Sequence, residues 1–212
     1  MYTVSVPQVG GTRERILKIS KSLFAARGYE HASTSSIARE AGTSESQLVK
    51  YFGGKAGLLE AIFAESWSRI TAAAQAATRD ITSPREKFKV VAGLVVSTME
   101  DDPELRLLML LEGRRIRREG QMIMLTEGFM SFVQLLDGIL EEMREAGQLR
   151  AGLSPQAVRS ALMGMVEGML RDRFLAERMA YPAAFDVHQV EAMLGITLAS
   201  CQPVAAGAAR VV

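Results

Sequence analysis

The sequence predicts an all-α fold of nine helices, three short and then six mostly longer. Three observations carry this. Strong helix formers (Ala, Leu, Met, Glu, Arg) recur along the 212 residues, while the Val/Ile/Thr alternation of strands is scarce. Apolar residues return at helical spacing in segment after segment. Most segments are bounded by a hydroxyl or proline start and a glycine or proline stop.

The elements follow in order. Residues 1–11 lack helical period and are expected to form a flexible tail. Thr12 is placed to cap a helix through Ile16, Ile19, Leu23 and Phe24, which Gly28 stops. A second helix starts behind Ser33-Thr34-Ser35-Ser36, carries Ile37, Ala38 and Ala41, and ends at Gly42. After Thr43, Ser44 caps a third, short helix through Leu48, Val49 and Phe52, broken by Gly53-Gly54. A longer helix begins near Lys55 and carries Leu58, Leu59, Ile62, Phe63, Trp67 and Ile70. Ser83-Pro84 opens the next, since proline suits the first helical position. Pro103 opens a leucine-rich helix expected to reach about Arg118, and Ile123 to Met143 forms an amphipathic one through Leu125, Phe129, Phe132, Leu136 and Leu140. Ser154-Pro155 repeats the cap-and-proline signal for a long helix ending near Tyr181-Pro182. The last helix carries Val187, Val190, Leu194, Leu198 and Cys201. The implied domains are a head over 12–57, a body over 58–203 and a second flexible tail over 204–212.

Bulk properties narrow the function. The single cysteine allows no disulfide within the chain, and no metal-ligand spacing or cofactor motif is present. No apolar run reaches the length of a membrane span, and the first residues do not read as an export signal, which favours the cytoplasm. There is no nucleophile elbow, no phosphate-cradling glycine loop and no histidine beside a nucleophile, so an enzyme is disfavoured. The net charge of +1 hides an asymmetry. Residues 1–57 hold eight basic and four acidic side chains, and the remainder holds 17 basic and 20 acidic. A basic head on an acidic body suits a phosphate-binding module carried by a separate domain.

Ser33 to Lys55 has the layout of a helix-turn-helix: two short helices, a glycine-containing turn and a hydroxyl cap on the second. In that motif the second helix enters the major groove while the first crosses the backbone. Ser33, Thr34 and Ser35 at a helix start suit a phosphate. Thr43, Ser44, Glu45, Ser46 and Gln47 fill the turn and first helical turn that meet base edges; Gln pairs with adenine and Glu accepts from cytosine. Lys50, Tyr51 and Lys55 follow at spacings suited to flanking phosphates.

Residues 12–63 resemble the N-terminal domain of the TetR family, through Thr12-Arg13, Ile16-Leu17, Leu23-Phe24, Gly28-Tyr29, Ile37-Ala38, Ala41-Gly42, Ser44, Leu48, Tyr51-Phe52, Lys55 and Leu58. Val49 stands where that family frequently has Tyr, and Ala32 where it often has Thr. The resemblance implies a nine-helix fold, a homodimer built on the last two helices, and a repressor that leaves a near-palindromic double-stranded operator when a small effector binds. A regulator controlled by a partner protein, or by nothing, is the alternative.

Met109, Phe129, Phe132, Met165, Met169 and Phe174 read first as core. The resemblance implies an effector pocket, and with Trp67 and Glu112 they are its candidate lining, since methionine-rich walls adapt to bulky apolar ligands. Glu112 falls on an otherwise apolar stripe and needs a partner, either a local arginine or an effector. The Arg114-Arg115 and Arg117-Arg118 cluster reads as a solvated helix end or as an anion site. Ser160, Gly164 and Gly168, with Val187, Val190, Leu194 and Leu198, are the expected dimer contacts.

Overall fold

The computed structural model describes residues 11–116, 120 and 122–203. Both expected tails lie outside these residues except for Gly11, as do Arg117 and Arg118. Among the described residues there are nine helices: α1 Thr12–Arg27, α2 Thr34–Glu40, α3 Glu45–Phe52, α4 Lys55–Thr78, α5 Pro84–Asp101, α6 Pro103–Glu112, α7 Glu127–Glu145, α8 Pro155–Arg178 and α9 Val187–Ser200. The only strand-like pairing among them is an isolated antiparallel bridge between Ile116 and Met122.

Contacts divide the chain into two compact units, one up to Ser66 with Glu104–Thr126, the other Trp67–Pro103 with Glu127 onward. The first contains α1 to α3, the start of α4 and nearly all of α6. Its core is Ile16, Phe24, Ile37, Leu48, Leu58, Leu59 and Phe63, all essentially inaccessible to solvent. Each such side chain contributes about 1.5–3 kcal/mol by leaving water. The sequence places the division after residue 57 and leaves α6 with the body, but polar contacts hold α6 to the head. Ser22 Oγ donates to Glu104 at 3.1 Å, Lys21 pairs with the same carboxylate at 3.7 Å, and just beyond the helix Arg115 reaches Glu30 at 2.7 Å.

In the second unit α5 packs on α7, α7 on α8, α8 on α9, and α9 back on α5. This closed four-helix arrangement follows from the α7 stripe Phe129, Phe132, Leu136, Ile139, Leu140 and Met143, every member of which is buried. Glu100 and Arg173 tie α5 to α8 through paired bonds of 2.6 and 3.0 Å. No described helix is long and apolar enough to cross a membrane.

Most helix ends fall where local chemistry sets them, and four differ from expectation. Gly11, not Thr12, occupies the cap position of α1, without a side-chain bond. α6 stops at Glu112 rather than near Arg118, because the chain reverses after Gly113. There Ile123 N–H donates to the Arg115 carbonyl at 2.8 Å, and a Cβ on Gly113 would lie 2.6 Å from the Met109 carbonyl oxygen. That reversal delays α7 to Glu127 and leaves Leu125 outside the helix and half exposed. α8 ends at Arg178, where Met179 turns to extended backbone.

Candidate functional site

Two hydroxyl caps shape the helix-turn-helix. Ser33 Oγ accepts from Ser36 N–H at 3.2 Å to start α2, and Ser44 Oγ accepts from Gln47 N–H at 3.2 Å to start α3. Each such cap contributes about 0.5–2 kcal/mol. Between the helices Gly42 adopts φ 63°, which lets Thr43 N–H bond back to the Ala38 carbonyl at 2.9 Å. Arg15 Nε donates to the Ala41 carbonyl at 2.8 Å, so α1 also holds the end of α2.

Leu48 and Phe52 turn inward, and the opposite face of α3 is left to solvent. Glu45, Ser46, Gln47, Lys50 and Tyr51 are exposed, Ser44 is exposed at the cap, and Thr43 is half-buried in the turn. Gln47 Nε2 donates to the Tyr51 hydroxyl at 3.3 Å, and Ser44 and Ser46 share a hydroxyl bond of 3.0 Å. Thr34 Oγ1 donates to Glu45 Oε1, linking the first residues of the two helices. Ser35 is exposed beside Ser33, with hydroxyls 3.0 Å apart. Ten of the eleven expected DNA-contacting residues therefore lie together on the surface of α2, the turn and α3.

Lys55 is placed differently. Its ammonium donates to the carbonyls of Tyr29 and Glu30 at 2.9 and 3.2 Å and stands 4.4 Å from the Tyr29 ring centre. These bonds tie the start of α4 to the loop after α1. Val49, read from sequence only as a departure from relatives, is 46% exposed on the solvent face of α3. An exposed apolar side chain there suits a thymine methyl.

The other expected residues separate into groups. Trp67, Phe129 and Phe132 come together, with ring centres 5.1 and 4.7 Å from the indole. The Trp67 indole N–H is buried without an acceptor among the described residues. Phe174 is buried beneath the Arg178 guanidinium at 4.6 Å, and Met169 is half-buried on α8. Met165 Sδ accepts from Thr197 Oγ1 at 3.2 Å, which turns it toward α9. Met109 and Glu112 belong to the first unit, where Glu112 bonds Arg115. That bond raises the Arg115 pKa, while burial pushes the Tyr29 hydroxyl up against the opposing pull of Arg115. Val190, Leu194 and Leu198 are buried within their own chain, and Val187 is half-buried. Ser160 and Gly164 are exposed on α8 with nothing within 4 Å of a Cβ built on Gly164, and Gly168 is half-buried.

A capped two-helix reader with an exposed polar face on its second helix, joined to a helical body, defines a helix-turn-helix DNA-binding regulator. The sequence pattern of the bacterial regulatory proteins of the tetR family matches residues 16–62, and that of the YsiA-like protein C-terminal region matches residues 63–194. The chain belongs to the tetR family. The fatty acid metabolism regulator protein of Bacillus subtilis (strain 168) is 24% identical over 153 residues, covering 72% of this chain and 78% of that protein. Among solved structures, the fatty acid degradation regulator FadR of Bacillus halodurans superposes with a TM-score of 0.78 at 21% identity, over 96% of this chain and 98% of its own. FadR of Bacillus subtilis, in complex with stearoyl-CoA, gives 0.78 at 21% identity over 89% and 98%. At these identities the structures establish a shared fold.

Proposed function

We propose that the protein is a cytoplasmic, homodimeric repressor whose effector is a long-chain acyl compound of the acyl-CoA class. The carrying observation is Trp67: a buried indole donor without an acceptor among the described residues, walled by Phe129 and Phe132. A buried polar group lacking a partner costs free energy. A ligand with an apolar chain and a carbonyl would fit the rings and supply the acceptor. The stearoyl-CoA bound by the Bacillus subtilis relative supports the same class.

The dimer reading rests on what the chain leaves uncovered. Ser160 and Gly164 offer a small-residue face on α8, and α9 exposes Met193 and Ile196 at 41% and 62%. Those two replace Val190, Leu194 and Leu198 as the apolar part of the contact. A two-fold dimer would set two α3 helices into successive major grooves of a near-palindrome. To move occupancy from nearly full to nearly empty, the effector must favour the released form by roughly 10⁴-fold.

Trp67 is the only tryptophan, so its emission reports on the site directly. Stearoyl-CoA titrated into the protein is expected to change that emission saturably and to release bound operator over the same concentration range. Unchanged emission with operator still bound would favour the partner-controlled regulator instead.

The DNA face makes separate predictions. Gln47→Ala should cost about 1–3 kcal/mol of discrimination at one base pair. Lys50→Ala should weaken all sequences alike and reduce the salt slope by about one unit. Lys55→Ala should lower the melting temperature and leave the slope unchanged. Equal slopes for the Lys50 and Lys55 variants, measured by fluorescence anisotropy across salt, would sink this division of roles.

A further inference from the structure

We propose that Arg115, which lies outside the helix-turn-helix, is a positioning residue for operator recognition, clamping the loop between α1 and α2 to the end of α6. Its guanidinium reaches Glu30 at 2.7 Å, bonds Glu112 through Nε, and stands 4.4 Å from the centre of the Tyr29 ring. Lys55 approaches the same ring to 4.4 Å, bonds the Tyr29 and Glu30 carbonyls, and lies 3.9 Å from the Glu30 carboxylate. Three segments distant in sequence thus meet around one aromatic ring, with two cations and two carboxylates satisfying one another.

The arrangement needs arginine. Its planar fork holds two carboxylates in fixed directions while its face stacks on the ring, whereas an ammonium is a point charge without that fork or stacking face. The clamp is anchored at each end. Tyr29 is 91% buried and packs on Phe24 at 5.2 Å, while the Arg115 carbonyl accepts from Ile123 N–H at 2.8 Å. Glu30 precedes the α2 cap Ser33 by three residues, so its position bears on where α2 begins. Thr34 then passes that position to Glu45 at the start of α3. Base readout depends on hydrogen bonds that weaken steeply with misalignment. Loosening the loop should therefore reduce specific binding more than phosphate attraction, which tolerates displacement.

The test uses the full chain with a duplex selected by the wild-type protein from a random pool, and a scrambled duplex of equal length. Enrichment by the wild type examines DNA reading itself; the variants examine the clamp. Arg115→Ala is expected to weaken the selected duplex roughly tenfold or more and the scrambled one less than about twofold, with an unchanged salt slope. Arg115→Lys should restore only part of the loss. A salt slope lower by about one unit, with both duplexes weakened alike, would make Arg115 a direct phosphate contact and overturn the proposal. So would unchanged affinity for the selected duplex. Glu30→Gln keeps the loop's shape while removing the shared charge, and serves if the alanine variant unfolds. It should weaken the selected duplex several-fold, and its loss should not add to that of Arg115→Lys. Additive losses, or none, would also overturn the clamp. Tyr29→Phe retains the ring and should bind as the wild type does; a loss equal to that of Arg115→Ala would contradict the stacking role.

Discussion

Replacing Gly57 with alanine is expected to abolish sequence-specific DNA binding while most of the helix content survives. Gly57 is the third residue of α4, and a Cβ there would overlap the carbonyl oxygen of Phe52 and lie 2.9 Å from its carbonyl carbon. The obstacle is backbone, so no rotamer change relieves it. The end of α3 must move, and Lys50 and Tyr51 lie in its last turn. Overpacking of this kind costs about 1–3 kcal/mol or more. In a chain of this size that lowers the melting temperature by roughly 2–4 °C per kcal/mol. Circular dichroism melting and anisotropy with a selected duplex measure both effects. An alanine variant that binds within twofold of the wild type would show that the turn between α3 and α4 relaxes without consequence.

The helix-turn-helix was legible because its determinants are local. Ser33 and Ser44 cap the helices that follow them, and Gly28, Gly42 and Gly53 take the positive φ values that end or turn the chain. Lys55 and Gly57 were less so, for one reason. A lysine near a recognition helix reads as a phosphate contact until the fold brings the Tyr29 and Glu30 carbonyls, about 25 residues earlier, to its ammonium. Gly57 has ordinary helical backbone, and only the approach of Phe52 excludes a side chain.

In the body, periodicity identified buried faces but not what buries them. The α9 stripe of Val190, Leu194 and Leu198 is inaccessible to solvent, as its spacing implies, yet it is covered by the same chain. The exposed Met193 and Ile196, three residues apart, lie on a neighbouring face of α9, a pair too short to mark a second apolar stripe. Glu112, on an apolar stripe, needs a partner, and Arg115, three residues on, bonds it. The end of α6 is not legible in the sequence, because the arginines beyond Gly113 are good helix formers, while the reversal depends on pairing between residues 115–116 and 122–123.

Phe132→Ala should produce the largest loss of stability in the body and expose the proposed effector site to measurement. Phe132 is 3% exposed on α7, with its ring centre 4.7 Å from that of Trp67. Truncating a buried phenylalanine costs about 3–5 kcal/mol, because the cavity left behind relaxes only in part. At roughly 2–4 °C per kcal/mol the melting temperature should fall by on the order of 10 °C. The same cavity opens beside the indole, so Trp67 emission should shift to the red as water or mobile side chains enter. If an acyl chain occupies this region, saturating stearoyl-CoA should refill the space, move the emission back toward the blue, and raise the melting temperature by mass action. A variant whose emission matches the wild type would mean that Phe132 does not shield Trp67. Lost stability that stearoyl-CoA fails to recover, with wild-type protein still responding, would place the acyl chain elsewhere in the body. The distinction matters because Phe132 serves two roles in the proposed site: it supports the fold in the empty protein and forms one wall against the ligand.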